Sequence, residues 1–262
     1  MSIACTISLP KLRLSPKKVI SPQIHDFLRK QITEAKIKPG TLLSENSLSD
    51  HFHVSRQPVR EALMRLSYEG LLSILPQRGS IVELISISEL VQTVFVRSAI
   101  EKECVLNITK LDAKQKRNCF NQIEKVLEQQ RNCKHDDDLK SNYLRLDDLF
   151  HEKLCAISGA PMAWDTIQSI KGQMDRIRYL SFDTVSNTAE ITAEHELIFH
   201  HLTQGNLNEC IVALSDHLSQ IKETHKDIIR KYSDWFTPES LSSVGLEAKH
   251  DTMPLRRAQI GD

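Results

Sequence analysis

The sequence predicts a mainly α protein in two parts: a small N-terminal domain of short helices closed by one β-hairpin, and an all-helical bundle behind it. Three observations predict this. Residues 55–70, SRQPVREALMRLSYEG, read as a short amphipathic helix with a basic first turn. Strand signals gather in LLSILPQRGSIVEL, residues 71–84, and stop there. From residue 86 to about 232 apolar residues recur at helical spacing.

Taken in order, residues 1–20 show no periodicity and carry four basic residues, which predicts either a flexible arm able to touch phosphates or plain disorder. Ser21 and Pro22 make an N-cap and first-turn pair, opening a helix to about Ala35 that closes before Pro39 and Gly40. Ser44 caps a second helix that faces Leu48 and Phe52 inward. A tight turn leads to Ser55 as the N-cap of the third, in which Pro58 is tolerated because it falls in the first turn and Gly70 is the stop. Two short β-runs then flank Pro76, Gln77, Arg78 and Gly79, a hairpin with a basic tip. Helix, turn, helix and hairpin together make a winged helix-turn-helix.

Ser86 to Glu89 reads as a capping box, and helices are expected at about 88–109, 112–132, 138–157, 161–181, 189–204 and 207–232. Asp112 with Gln115 and Asn206 with Glu209 mark two starts, while Gly159 and Gly205 mark two stops. Residues 182–188 are expected as a loop and 233–262 as a loose tail. The predicted domains are therefore 21–85 for the winged domain and 86–232 for the bundle.

Composition narrows the function. With 262 residues and 40% apolar content the chain can bury two cores and is not a disordered protein. No apolar run approaches the roughly eighteen residues of a membrane span, and Pro10, Lys11, Arg13 and Pro16 interrupt any signal-peptide core, so the expected location is cytoplasmic. Six cysteines without a CxxC pair suit reduced thiols. The net charge of zero hides a division, since residues 1–85 hold 12 Lys and Arg against 7 Asp and Glu and the remainder is acidic. A basic front suits DNA binding at one end only. Arg56, Gln57 and Arg60, at the dipole-positive end of their helix, form a donor-rich tip for phosphates and base edges.

In the bundle, polar residues fall where apolar ones belong. Asp147 and His151, four apart, share a stripe with Tyr143, Leu144, Phe150 and Leu154. His195 lies among Ile191, Ile198, Phe199 and Leu202, and His217 among Ala213, Leu214 and Ile221. Burying each of these is costly without a partner. One divalent metal would satisfy all four, zinc first, with nickel, iron or manganese also suited to imidazole and carboxylate ligands. The alternative is a set of core histidines bonded to carbonyls. His225 is the rival ligand. Arg97 sits among Leu90, Val94, Ile100 and Cys104, where its guanidinium needs an anion, and Glu101 four residues on is the local candidate. Arg176 and Arg178 are further candidates to line the same cavity.

The runs KPG (38–40), LSE (43–45), VSRQPVREAL (54–63), RL (65–66), EGL (69–71) and PQRGSIV (76–82) resemble the GntR transcriptional regulators, and the helices behind them resemble the FCD ligand-binding bundle of the FadR subgroup. The family usually carries Arg where this chain has Asn46, and Gly where it has His53 in the turn, which His can occupy in a left-handed conformation at some cost. The FCD pattern of Asp-x3-His followed by single histidines on two later helices maps onto Asp147, His151, His195 and His217. The resemblance implies a regulator, a repressor, working as a homodimer on an inverted-repeat operator of double-stranded DNA. Ser55, Arg56, Gln57, Arg60, Arg78, Gly79 and Asn46 would meet the DNA, with Gly79 letting the wing approach the minor groove. It further implies a small organic acid effector, such as a sugar acid, gripped by Arg97 and the metal. The residues alone leave open a metal-dependent hydrolase and a purely structural metal without an effector.

Overall fold

A computed structural model describes residues 9–133, 139–182, 188–222 and 225–247. The chain forms two compact units, one of residues up to Ile87 together with those from Lys226 onward, the other of Ser88–His225.

The first unit holds α1 (Ile20–Thr33), β1 (Leu42–Leu43), α2 (Glu45–Phe52), α3 (Arg56–Tyr68), β2 (Leu72–Leu75) and β3 (Gly79–Val82). The strands pair antiparallel in the order β1-β3-β2, with Leu42 opposite Ile81 and Leu75 opposite Gly79. Ile24, Leu28 and Ile32 of α1 meet Val59, Leu63 and Leu66 of α3 in one core. Glu69, at the end of α3, accepts from Arg29 Nε at 3.0 Å and lies 2.6 Å from His25 Nε2, fastening α3 to α1. His53 closes α2 with φ 54°, the left-handed conformation expected where the resembled family carries glycine.

Several local details differ from expectation. Helix α1 starts a residue before Ser21, with Val19 at the N-cap. Ser21 is buried instead, and the Gln23 amide holds the entering chain, accepting from Ser15 N at 2.7 Å and donating to Val19 O at 3.0 Å. Ser55 occupies the N-cap of α3 without a side-chain cap bond, and Asn206 does the same at its helix. Gly79 has φ +107°, and a Cβ there would lie 2.5 Å from the Leu43 carbonyl oxygen. Strand packing alone therefore requires glycine at the wing.

The described part of the N-terminal arm is not free. Leu9, Leu12 and Leu14 pack on the winged core, because apolar residues interleave with the basic ones that suggested a mobile arm. Residues 1–8 lie outside the described residues. The expected loose tail also joins this unit. Ile85 N donates to Trp235 O at 2.8 Å, Thr237 N to Ile85 O at 3.0 Å, and Ile87 N to Ser240 Oγ at 3.0 Å. Phe236 and Leu241 are buried beside these bonds. Composition pointed to a tail because Ser, Pro and charge surround these few apolar anchors. Residues 248–262 lie outside the described residues.

The second unit contains α4 (Ile87–Thr109), α5 (Ala113–Arg131), α6 (Leu139–Ile157), α7 (Pro161–Ile170), α8 (Gly172–Ser181), α9 (Thr188–Gln204) and α10 (Leu207–Ser219). Asp112 and Gln115 form the capping box on α5, and Gly159 and Gly205 take positive φ at the stops. The helix expected over 161–181 breaks at Lys171, whose buried ammonium is drawn to Asp148 at 2.8 Å and to Asp175, with Gly172 following it. The helix expected over 207–232 ends as α10, continues as a 3₁₀ turn at Gln220–Lys222, and resumes as α11 (His225–Lys231). A short α12 (Pro238–Ser242) completes the described chain. Of the loop expected over 182–188, residues 183–187 lie outside the described residues, and Thr188 already opens α9. Helix α9 packs along α10, and α5 against α6 and α9, around Phe150, Leu154, Ile198 and Leu214. No helix among the described residues is long and apolar enough to cross a membrane.

Candidate metal centre and nucleic-acid interface

Amphipathicity fixes the winged unit's exposed tip. With Val59, Ala62, Leu63 and Leu66 buried, helical periodicity turns Arg56, Gln57 and Arg60 outward. Ser55, Asn46 and Arg78 are also exposed, while Gly79 is half-buried against β1. Glu45, in the first turn of α2, accepts from Arg60 Nε at 3.1 Å, Arg60 Nη2 at 2.9 Å and Arg56 Nη2 at 3.3 Å. Gln57 donates to Glu61 at 3.0 Å.

In the bundle Asp147, His151, His195 and His217 come together from α6, α9 and α10, each offering one ligand atom within 4.8 Å of the others. The three Nε2 atoms converge: those of His151 and His195 lie 3.1 and 3.2 Å from that of His217. Asp147 oxygens lie 4.0 and 3.7 Å from His151 and His195 Nε2. Asp147, His151 and His195 are buried and His217 borders a cavity.

What faces the other ring nitrogens decides the tautomers. Glu101 Oε2 lies 2.6 Å from His151 Nδ1, Glu194 Oε2 lies 2.7 Å from His217 Nδ1, and Gln130 Oε1 lies 3.0 Å from His195 Nδ1. The Gln130 NH₂ group donates to Leu146 O at 3.1 Å, which leaves its oxygen for His195. Each Nδ1 therefore carries the proton and each Nε2 presents a lone pair to the same point. Stacking on Phe150, with ring centroids 4.1 Å apart, fixes the His195 ring. Three facing lone pairs and a carboxylate repel one another unless a cation lies among them, so the donor set fits a divalent metal.

The electrostatics agree. Burial pushes His151 down to about 4, against the pull of Glu101, and moves His195 well below its ordinary value. Both imidazoles are neutral near pH 7, as ligands must be. Burial opposes the charge on Asp147 and Glu101, but the neighbouring guanidinium groups outweigh it. Arg178 holds Asp147 below its usual range, and Arg97, with a hydrogen bond from the His151 ring, holds Glu101 at about 2.

Arg97 donates from Nε to Glu101 at 2.5 Å and from Nη1 to Met174 Sδ at 3.8 Å, while its buried Nη2 has no partner. Glu101, the local candidate, takes one edge of the guanidinium and leaves Nη2 over. Arg97, Asp147, Met174, Arg178, Glu194 and His217 line one cavity of about 110 Å³. Arg178 pairs with Asp147 and with Asp148. Arg176 is buried beside Gln173 and is not on the cavity wall. The His225 side chain lies outside the described residues.

Sequence reasoning missed Gln130 and Glu194 and saw Glu101 only as a partner for Arg97. Gln130 did leave a signal, falling on the stripe of Ile123, Val126 and Leu127 where an amide needs a partner.

Residues 20–82 match the bacterial regulatory proteins of the gntR family, and residues 92–220 match the FCD domain. The chain is 39% identical over 227 residues to the HTH-type transcriptional repressor RspR of Escherichia coli K12, covering 87% of this chain and 98% of that one. It is 25% identical over 231 residues to the gluconate operon transcriptional repressor of Bacillus subtilis, covering 86% and 89%. Among solved structures, E. coli McbR/YncC superposes with a TM-score of 0.61 at 21% identity, over 82% of this chain and 99% of that one. A putative GntR regulator from Rhodococcus sp. RHA1 superposes at 0.63 and 18% identity, over 81% and 98%. These two likenesses speak for the fold.

Proposed function

Because the chain belongs to the gntR family of bacterial regulatory proteins and carries an FCD domain, we propose that it is a DNA-binding transcriptional repressor whose operator affinity a small carboxylate controls. It acts as a homodimer in the cytoplasm. Two copies of α3 enter successive major grooves of an inverted repeat, with half-sites about one helical turn apart. Arg56 and Arg60 meet base edges and phosphates, helped by Ser55, Gln57 and Asn46, and Arg78 with Gly79 follows the backbone from the wing.

Control comes from the bundle. The observation that carries this reading is the pairing, on one cavity, of the convergent Asp147, His151, His195 and His217 donors with the unpartnered Nη2 of Arg97. Asp147, His151, His195 and His217 would hold a divalent ion, zinc foremost, which would supply a second anchor for an effector oxygen. Arg97 supplies a planar donor for its carboxylate. A ligand shifts DNA affinity only by its differential affinity for two states of the protein, so the acid must favour one of them. The gluconate repressor among the relatives makes sugar acids the first class to try. Regulator names among the relatives support a non-enzymatic reading over a hydrolase.

The test is elemental analysis of untagged protein purified without chelators, beside a His195→Ala variant, followed by operator binding with and without sugar acids. About one metal per chain, lost in the variant, together with a carboxylate-dependent change in DNA affinity is the expected result. Metal whose removal melts the bundle, with no acid altering DNA binding, would instead mark a structural ion.

A further inference from the structure

The two arginines at the tip of α3 are four residues apart, so their like charges repel, and each side chain is half-exposed with many rotamers open to it. Neither is left loose. Glu45 reaches across from α2 and takes Arg60 side-on, Oε1 to Nε and Oε2 to Nη2, and then takes Arg56 on the same Oε2. Side-on pairing uses one edge of the Arg60 fork and leaves Nη1 and the second Nη2 hydrogen, the end that reads a guanine bidentately. A carboxylate at a DNA-facing tip also costs phosphate attraction, which makes its presence there unexpected unless it orders its partners.

The bland role for Glu45 is as an acidic residue in the first turn of α2, favourable to the helix dipole. Ser44 already caps that helix through Ser47 N, and the Glu45 oxygens go to the arginines. Both partners of Glu45 come from α3.

We propose that Glu45 is a positioning residue for operator reading: it presets Arg56 and Arg60 for base contacts and, by its charge, weakens binding to unrelated DNA. This rests on the reading that α3 enters the major groove. Specificity, the ratio of operator to non-operator affinity, then depends on a side chain that touches no base.

The experiment uses the full-length protein with duplexes it selects from a random pool and with scrambled duplexes, at several salt concentrations. For Glu45→Gln, which keeps the shape and removes the charge, affinity for the selected duplex falls about tenfold while that for the scrambled duplex holds or rises. Its salt dependence on scrambled DNA steepens by about 0.9 in log–log slope, one added phosphate contact. Glu45→Asp, one methylene short of spanning both arginines, loses an intermediate part of the ratio with unchanged melting. Parallel loss on both duplexes with lowered melting would assign Glu45 to the fold and overturn the proposal. Arg60→Ala separates the two readings. If it lowers selectivity while Glu45→Gln does not, the positioning role fails and the groove reading stands; if Arg60→Ala leaves selectivity unchanged, both fail.

Discussion

His151 and His217 face each other through Nε2 atoms 3.1 Å apart, and each has its Nδ1 held by a carboxylate, Glu101 for one and Glu194 for the other. Two rings oriented in this way have no proton to share between them. Their geometry belongs to a site in which the ligands are aimed by groups behind them.

Glu101 aims His151, one of the two fully buried rings. Glu101→Gln keeps the size of the side chain but weakens its hold on the Nδ1 proton and lowers the basicity of Nε2. Metal affinity is expected to fall about 10- to 100-fold, read by competition with a chromogenic chelator. Unchanged affinity would mean that Glu101 serves only Arg97.

Acid should act on the metal-free protein through the same rings. Burial depresses His151 from 6.5 to about 4, and His195 moves in the same direction. A depressed pKa contributes stability that is complete above the unfolded value and is lost as pH falls through the folded one. The expected loss between about pH 6.5 and 4 is on the order of 3 kcal/mol for His151 alone. Urea unfolding of chelator-treated protein across that range measures it, and a His151→Phe variant should flatten the profile.

Arg97→Lys keeps a cation beside Glu101 and removes the fork. The variant is expected to retain its metal while the carboxylate response of DNA binding weakens at least about tenfold, because an ammonium cannot reproduce planar bidentate pairing. Elemental analysis and operator binding on one preparation read both quantities. Loss of the metal together with the response would give Arg97 a structural role.

Phe236 is buried where residues 233–240 bond to Ile85 and Ile87. Phe236→Ala is expected to destabilise the winged unit by about 3–5 kcal/mol, seen as an earlier urea midpoint. A cost near zero would show that the backbone bonds alone hold this segment.

The sequence by itself determined the winged helix-turn-helix, because local signals suffice for it. Caps, a first-turn proline, alternating strand residues and glycine stops each act within a few residues, and His53 takes the left-handed turn that the family resemblance implied. It also put Asp147, His151, His195 and His217 on inward stripes, since helical periodicity alone tells which side chains leave water. Only the tertiary structure decided what they meet there. Glu101, Gln130 and Glu194 reach their histidines from other helices, and no periodicity pairs residues 23, 50 or 65 apart. The same holds for the chain's ends. Leu14 and Phe236 read as fragments of disorder until the winged core offers each a surface, because burial is a property of the partner as much as of the residue.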